Sequence, residues 1–298
     1  MTASFKGIVP ALITPMTPSE DVDEDGLRVL VDRLIDAGVH GLFVLGTNGE
    51  FIALNEAEKL RIARIAVEQA RGRVPVIAGT GAYATRDVIA LNDKMQDVGV
   101  DAVSVITPYF NGATQPELFA HYEQIARATS LPILLYTIPA KAGVTLTIDT
   151  VRRLAEIPNI RAIKDSGGDF DRLLQLINLR RDDFAVFTGT DSMILWTLMA
   201  GGDGAVAATT NAVPQVVMSI WNQFQAGNIA AARAAQESLR ALRDAFALGT
   251  MPVVLKTAAE MLGMPAGPAR SPAKPLDAKS RERLAEALTI YRAALNVA

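Results

Sequence analysis

Cysteine is absent from the 298-residue sequence, and histidine is nearly so, with His40 and His121 as its two examples. The missing thiols exclude disulfide bonds, thiolate catalysis and cysteine-ligated metals, and they suit a reducing compartment. Zinc sites in proteins are built from clustered histidine, cysteine and carboxylate ligands. With no cysteine and two scattered histidines, we expect no metal cofactor.

Charge of one sign and long apolar runs are also missing. The formal net charge is −3, the isoelectric point is near 5.5, and no block of Lys or Arg stands out, so we expect no nucleic-acid partner. No stretch approaches the roughly 18 uninterrupted apolar residues that suggest a membrane span. The segment Met1–Gly7 lacks the apolar region of a signal peptide. We therefore expect no membrane partner and a cytoplasmic location.

What the sequence does contain is a repeated alternation of short apolar runs and helical stretches. Half of its residues are hydrophobic, which is ample for one large core. Continuous apolar runs of this length are typical of parallel strands covered on both faces. Eight of them predict an α/β fold, a (β/α)8 or TIM barrel, rather than a doubly wound sheet. The predicted strands are Ile8–Ile13, Gly41–Leu45, Val74–Ala78, Ala102–Ile106, Pro132–Tyr136, Ile160–Lys164, Ala185–Thr188 and Gly204–Ala207.

The rhythm changes after Asn211, where helical patterns follow one another without intervening strands. We therefore predict a barrel carrying the active site over residues 1–225 and a helical C-terminal region over 226–298. Capping boxes mark two helix starts within the barrel, at Asn55–Glu58 and Thr114–Glu117. The last predicted helices are Pro214–Gln225, Ile229–Ala247, Pro252–Leu262 and Ala278–Leu295.

Lys164 ends one apolar run at the start of a glycine-rich loop, and Tyr136 ends the preceding run in the same way. One strand-helix-strand unit separates them, so both side chains can point into the same mouth of a barrel. Burial of the amine disfavours its charged form and makes it a nucleophile towards a carbonyl carbon. The alternative for a lone lysine is a snorkelling side chain. The tyrosine beside it favours a catalytic pair.

Small hydroxyl residues and glycines recur at nearly every predicted strand end. In a TIM barrel the reactive groups come from these ends and from the loops after them. A ring of hydroxyls and backbone N–H groups suits a small, oxygen-rich, anionic substrate. The residues concerned include Thr14, Gly46, Thr47, Gly79, Thr80, Thr107, Thr137, Ser166, Gly189, Thr190, Thr209 and Thr210.

Four motifs carry a resemblance that spans the chain from about Gly7 to the last helix. They are Gly46-Thr-Asn-Gly-Glu50, Thr107-Pro-Tyr109, Leu135-Tyr136-x-x-Pro139 with Gly143, and Ile163-Lys164-Asp165-Ser166. Together they resemble the signatures of the dihydrodipicolinate synthase / N-acetylneuraminate lyase family. The resemblance implies a class I, pyruvate-dependent aldolase or lyase on a (β/α)8 barrel. It further implies that no metal is needed and that the protein is a homo-oligomer, usually a homotetramer.

Carried over by position, the resemblance implies a role for each matching residue. Lys164 would form a Schiff base with the keto carbon of pyruvate or another 2-oxo acid, and Tyr136 would act as general acid and base. Thr47, counted with the catalytic groups, would join Asn48 and Gly49 in holding the substrate carboxylate through hydroxyl and backbone N–H donors.

The same resemblance implies a wider substrate-binding set. Gly189 and Val206 would line the site beside the imine through backbone and apolar contacts, and Tyr109 would lie against the substrate. For the glycines of the first loop, an ordinary tight turn between strand and helix is the alternative explanation.

Three positions depart from the synthase pattern. Asn48 replaces the second of two threonines, and Phe110 replaces a tyrosine that the family donates across a subunit interface. Lys141 stands where synthases carry an arginine that grips the second substrate. A phenyl ring carries no proton, and a lysine cannot make a planar two-pronged contact with a carboxylate. A solvated loop lysine is the alternative at position 141.

Two motifs, Gly46-Thr-Asn-Gly-Glu-Phe51 and Lys164-Asp-Ser-Gly-Gly-Asp169, are similar to a different branch, the aldolases and dehydratases of 4-hydroxy-2-oxoglutarate and 2-keto-3-deoxy sugar acids. There a hydroxyl at the position of Ser166 helps to place the hydroxylated substrate. We therefore expect an enzyme that cleaves or dehydrates a hydroxylated 2-oxo acid, with pyruvate as the aldol product. The open alternatives are the synthase branch, which condenses pyruvate with aspartate semialdehyde, and a non-catalytic 2-oxo-acid-binding relative.

Overall fold

Eight short parallel strands form a barrel in the computed structural model, which describes residues 5–295 and side chains as far as Arg292. The strands are β1 Gly7–Pro10, β2 Leu42–Val44, β3 Val76–Gly79, β4 Ala102–Ile106, β5 Ile133–Thr137, β6 Ile160–Asp165, β7 Ala185–Thr188 and β8 Gly204–Ala207. Hydrogen-bonded neighbours follow the order β1-β8-β7-β6-β5-β4-β3-β2. A parallel bridge between Ala11 and Phe43 joins the two ends of this order. The predicted (β/α)8 barrel is confirmed.

Side chains alternate along each strand between the barrel interior and the surrounding helices, as a period of two requires. On β5 and β6, Leu134 and Ala162 point inwards, so the next inward positions are Tyr136 and Lys164. The alternation therefore brings both reactive side chains to the carboxyl end of the barrel. The interior apolar cluster below them mixes small and large residues, namely Val9, Ala11, Phe43, Ile77, Ala102, Leu134, Ala162, Ala185, Phe187 and Val206.

Helices separate the strands and continue beyond the last of them. Asn55 and Glu58 form the predicted capping box, each side chain bonding the other's backbone N–H. At the second site, the Glu117 carboxylate accepts from both the N–H and the hydroxyl of Thr114. The helices are α1 Glu24–Asp36, α2 Glu56–Ala70, α3 Thr85–Val98, α4 Gln115–Ala128, α5 Pro139–Ala142, α6 Ile148–Leu154, α7 Phe170–Ile177, α8 Ile194–Met199, α9 Pro214–Gln225, α10 Ile229–Ser238, α11 Arg240–Ala245, α12 Val253–Met261, α13 Ala278–Ala287 and α14 Thr289–Leu295.

Two of the predicted C-terminal helices are interrupted. The stretch predicted as 229–247 divides into α10 and α11, where the Ser238 carbonyl accepts the Tyr291 hydroxyl and the Ser238 hydroxyl bonds back to Ala235. The stretch predicted as 278–295 divides into α13 and α14, beside a similar bond from the Thr289 hydroxyl to Ala285. Hydroxyls that bond to a carbonyl in the preceding turn compete with the helix ladder and bend it.

The boundary predicted at residue 225 coincides with the end of α9, and the division into two regions stays a prediction. Residues 1–4 and 296–298 of those regions, including most of the N-terminal segment that lacks a signal-peptide pattern, lie outside the described residues. Within residues 5–295, no helix is both long and apolar enough to cross a membrane.

Candidate active site

Lys164 and Tyr136 lie side by side at the carboxyl end of the barrel, paired in register on β6 and β5. Both are buried, with 4% and 3% of their surfaces exposed. The Lys164 Nζ atom lies 4.0 Å from the centre of the Tyr136 ring and 5.0 Å from the centre of the Phe43 ring. Aromatic faces attract a cation and also remove water from around it. The amine is thus held in a largely dry position at the mouth of the barrel.

Thr47 completes a cluster of three functional side chains. Its Oγ1 atom lies 3.2 Å from the Tyr136 hydroxyl oxygen, within hydrogen-bond distance, and it arrives from the loop that follows β2. A tyrosine hydroxyl that shares a proton with a second hydroxyl can both accept and deliver a proton at a nearby substrate atom. The structure therefore brings together the three residues that the sequence singled out as catalytic.

The loop Gly46–Glu50 is a tight turn, which explains its glycines. The Gly49 N–H donates to the Gly46 carbonyl at 3.1 Å, and the Gly49 carbonyl accepts the Thr14 hydroxyl at 2.8 Å. A Cβ atom on Gly49 would lie 3.1 Å from the Leu12 carbonyl oxygen. Since the Gly49 N–H is used inside the turn, the backbone donors open to an anion are those of Thr47 and Asn48.

Gly189 and Ser166 lie on the opposite side of the lysine. The Gly189 N–H donates to the Asp165 carbonyl at 2.7 Å, which brings the β7 loop close to Lys164. A Cβ atom on Gly189 would lie 1.9 Å from Ser166 Oγ and 2.8 Å from Lys164 Cε. Only glycine leaves room there for both side chains. Val206 is buried in the barrel interior, where it contributes to the apolar floor.

A cleft of about 460 Å³ opens from Thr47 towards solvent. Tyr109 and the exposed Lys141 line it from the barrel side, and Tyr109 packs edge-on against Phe51 with ring centres 5.9 Å apart. Burial raises the pKa of the Tyr109 hydroxyl, which therefore stays protonated at neutral pH. Residues 250–252 and 270–273 of the C-terminal region form the other wall of the cleft.

Phe110 lies apart from this cluster. Its side chain is 95% exposed, and its backbone adopts a left-handed conformation with φ of 80°. A bulky residue rarely takes this conformation. The structure therefore turns the phenyl ring away from the chain's own Tyr136–Thr47 pair.

Sequence reasoning missed a buried ionic network under the first loop. In the sequence, Glu50 is only the final residue of the motif Gly46–Glu50. In the structure, its carboxylate accepts hydrogen bonds from Lys256 Nζ at 2.9 Å and from the Arg270 N–H at 2.8 Å. Burial lowers the pKa of Lys256, and Glu50 acts in the opposite direction. The available signal was a lysine within the apolar stretch Val253-Val-Leu-Lys-Thr-Ala-Ala259.

Among the described residues, no group of three or more histidine or acidic side chains is placed to hold a metal ion. The polar groups at the mouth of the barrel include the amines of Lys164 and Lys141 and the hydroxyls of Thr47 and Tyr136.

Comparison with known proteins decides the family. Residues 4–291 match the sequence profile of the dihydrodipicolinate synthetase family. The chain belongs to this family. Membership makes it an enzyme, a lyase of the class I aldolase type, and confirms the resemblance carried by its motifs.

Individual relatives cover almost the whole chain. A 4-hydroxy-tetrahydrodipicolinate synthase from Methanopyrus kandleri is 37% identical over 286 residues, which are 95% of either chain. The crystal structure of a dihydrodipicolinate synthase from Bacillus anthracis is similar with a TM-score of 0.93 at 36% identity, over 96% of this chain and 98% of that one. A prophage protein of the same family from E. coli K12, solved in complex with pyruvate, has a TM-score of 0.93 at 35% identity, over 99% and 100% of the two chains.

These relatives correct the assignment to a branch. The expectation of an aldolase or dehydratase for a hydroxylated 2-oxo acid is wrong, because several curated relatives matched over nearly their full lengths are named as synthases. That expectation depended largely on two positions, Phe110 and Lys141, at which the chain departs from the synthase pattern. Phe110 is exposed on a loop, where sequence varies readily among relatives, and Lys141 is exposed on the short helix α5.

Proposed function

We propose that this protein is a 4-hydroxy-tetrahydrodipicolinate synthase that condenses pyruvate with aspartate semialdehyde through an imine on Lys164. The observation that carries the proposal is the buried Lys164 beside the hydrogen-bonded Tyr136–Thr47 pair, in a chain whose full length matches synthases. The pyruvate complex of the prophage protein supports pyruvate as the first substrate.

The reaction begins when the neutral amine of Lys164 attacks the keto carbon of pyruvate. The carbinolamine that forms loses water, so the keto oxygen leaves as water and the nitrogen becomes a protonated imine. Tyr136, hydrogen-bonded to Thr47, delivers and removes the protons of these steps. The imine then acts as an electron sink while a proton leaves the pyruvate methyl carbon. The resulting enamine attacks the aldehyde carbon and forms the new carbon–carbon bond, and the aldehyde oxygen takes up a proton to become a hydroxyl. The amino group of the former semialdehyde then attacks the imine carbon and displaces the Lys164 amine, which closes the ring of the product and frees the lysine. Because the imine supplies the electron sink, the proposed reaction needs no metal.

The first loop is the proposed site for the pyruvate carboxylate. Its donors are the Thr47 hydroxyl and the N–H groups of Thr47 and Asn48, on a turn that Gly49 keeps tight. Ser166, Gly189 and Val206 confine the imine from the other side. Fixed donors to the carboxylate hold pyruvate in one orientation, which keeps its keto carbon beside Lys164.

The second substrate is proposed to occupy the outer cleft. Lys141 lies on its wall and can attract the carboxylate of aspartate semialdehyde, while Tyr109 supplies a protonated hydroxyl and an apolar ring. A lysine makes a weaker and less directional contact than arginine with a carboxylate. We therefore expect that having lysine in place of arginine at position 141 raises KM for the semialdehyde and leaves the rate of imine formation unchanged.

A homo-oligomer, and specifically a homotetramer, is part of the proposal. Phe110 is held out into solvent at the mouth of the barrel, and a second apolar patch is formed by Phe170, Trp196 and Met199 on α7 and α8. An exposed aromatic side chain and a separate apolar patch give the chain two surfaces that can each pack against a second copy, and two kinds of twofold contact close as a tetramer. Sedimentation velocity tests this, and a monomer at micromolar concentration would contradict it.

Borohydride reduction in the presence of pyruvate tests the chemical step. We expect a covalent adduct on Lys164, mapped by mass spectrometry, together with loss of activity. A Lys164→Arg variant serves as the control and should form no adduct. An adduct on another lysine, or none at saturating pyruvate, would refute the mechanism.

Steady-state kinetics test the branch. We expect kcat/KM for condensation with aspartate semialdehyde to exceed that for cleavage of any 4-hydroxy-2-oxo or 2-keto-3-deoxy acid in a panel. The opposite order would refute the synthase assignment while leaving the imine intact.

A further inference from the structure

Lys256 is a buried cation in the apolar helix α12, with 1% of its surface exposed. Its Nζ atom donates to the Glu50 carboxylate at 2.9 Å, to the Thr14 carbonyl at 2.9 Å and to the Pro268 carbonyl at 2.5 Å. An ammonium group has three donors, and all three are used. The side chain is therefore fixed in one position by partners from three separate parts of the chain.

Glu50 links this cation to the loop that carries Thr47. One carboxylate oxygen accepts from Lys256, and the other accepts the Arg270 N–H at 2.8 Å. The Glu50 backbone takes a left-handed conformation with φ of 60°, and its N–H donates to the Thr47 carbonyl at 3.2 Å. A non-glycine residue holds such a conformation only where its surroundings impose it. The side-chain bonds of Glu50 provide that constraint at the end of the turn.

Thr14 supports the same loop from the other side. Its carbonyl accepts from Lys256, while its hydroxyl donates to the Gly49 carbonyl at 2.8 Å. A single ammonium group therefore bonds to both residues that brace the turn. This loop places Thr47 Oγ1 at 3.2 Å from the Tyr136 hydroxyl oxygen.

We propose that Lys256 and Glu50 are positioning residues, whose buried contact fixes the loop Gly46–Glu50 and thereby the Thr47 hydroxyl and the carboxylate-binding N–H groups. This inference rests on the proposed function, because it concerns how the same site binds a 2-oxo acid. Neither residue touches the reacting atoms. Lys256 acts through the turn, whereas Glu50 ends the turn and also lines the outer cleft proposed for the second substrate.

Energetics favour a positioning role over a purely stabilising one. Removing two charges from water is costly, and a buried ion pair is often no more stable than an apolar pair of similar volume. Here both partners are almost fully buried and lie directly beneath a catalytic loop. A site displaced by about 1 Å loses on the order of a hundredfold in rate, so a rigid support under Thr47 has a functional effect.

The test compares four proteins with the wild type: Lys256→Met, Glu50→Gln, the Lys256→Met/Glu50→Gln double variant and Asp203→Asn. Asp203 is the matched control, since it is a buried carboxylate bonded to Arg180 at 2.8 Å but precedes β8 at the opposite end of the barrel. Thermal unfolding reports stability. Pyruvate affinity and the rate of borohydride trapping on Lys164 are measured well below the lowest unfolding midpoint.

We expect Lys256→Met to weaken pyruvate binding by at least about tenfold and to slow trapping by about a hundredfold. The double variant removes the unpaired buried charge, so its unfolding midpoint should recover while pyruvate affinity stays low. Asp203→Asn should lower the midpoint without changing pyruvate affinity. Glu50→Gln keeps the size of the side chain and is the folded reference if Lys256→Met does not fold; it should weaken pyruvate binding as well.

Pyruvate affinity within twofold of wild type in the folded Lys256 or Glu50 variants would overturn the inference and leave these residues a stabilising role alone. Failure of the wild type itself to trap pyruvate would instead overturn the proposed function, and with it the inference. The two failures are distinguished by which protein forms the adduct.

Discussion

Replacing Gly189 by alanine is expected to displace Lys164, the lysine proposed to form the imine. The added Cβ atom would lie 2.8 Å from Lys164 Cε and 1.9 Å from Ser166 Oγ. Carbon atoms in contact sit about 3.5 Å apart or more, so Cε must move by about 0.7 Å, and the serine side chain must rotate away. The backbone at position 189 is not left-handed, which means that the effect comes from the added methyl group.

A displacement of this size near the reacting atom should lower kcat/KM by on the order of a hundredfold. The assay is the initial rate of pyruvate-dependent condensation, accompanied by the rate of borohydride trapping on Lys164. Adding Ser166→Ala to Gly189→Ala removes the closer overlap but not the contact with the lysine, so rescue should be partial.

Gly41→Ala is the matched control for Gly189→Ala. Gly41 is a buried glycine before β2 at the amino end of the barrel, where a Cβ atom would meet its neighbours at 3.4 Å or more. We expect activity close to that of the wild type. If Gly189→Ala also kept kcat/KM within twofold of wild type, the proposed confinement of Lys164 would be refuted.

Three other expectations concern proton transfer, metals and pH. Thr47→Val and Tyr136→Phe should each lower kcat by about 10²-fold or more, because each removes a hydroxyl from the bonded pair, and an unchanged kcat in both would contradict the proposed relay. Chelation with EDTA should leave activity intact, and a loss restored by adding a divalent metal would show that the imine is not the sole electron sink. Burial lowers the pKa of His121 to about 4 from 6.5, so the folded protein binds fewer protons than the unfolded chain between those values. Stability from this residue is present above pH 6.5 and is lost as the pH falls towards 4, by at most about 3 kcal/mol; His121→Gln should flatten urea unfolding free energies over that window, and an unchanged slope would contradict this assignment.

The barrel could be predicted from sequence because parallel strands covered on both faces leave a direct pattern. Short apolar runs separated by helical stretches predicted eight covered strands, and the positions of Tyr136 and Lys164 at the ends of successive runs predicted that both side chains reach the same mouth. Strand ends were less visible. The first strand was predicted as 8–13, but its regular ladder with β8 covers Gly7–Pro10; Ala11 then bridges to Phe43, and the Ile13 N–H bonds to the Asn211 side chain.

The branch of the family could not be predicted from single positions. Phe110 and Lys141 differ from the synthase pattern in chemically sensible ways, yet both side chains are exposed, Phe110 on a loop and Lys141 on helix α5, outside the Lys164–Tyr136–Thr47 cluster. A missing hydroxyl at 110 removes nothing from the Tyr136–Thr47 pair of the same chain. A comparison over the full length includes every residue that supports the site, and most of these residues lie outside the motifs.

The supports of the site were invisible for a different reason, which is distance along the chain. Lys256 meets Glu50 across 206 residues and Thr14 across 242, and Arg270 reaches Glu58 across 212. Periodicity and capping report only neighbours within a few residues, so they carry no information on such pairs. All eight strands precede the predicted boundary at residue 225, and the chain after it is helical. Both sides of this boundary nevertheless contribute to the candidate site. The carboxylates beneath the first loop are neutralised by residues beyond that boundary, and the far wall of the cleft is built there too. In the proposed mechanism the C-terminal region therefore contributes to the active site through the loop that it supports, although it carries none of the proposed catalytic residues.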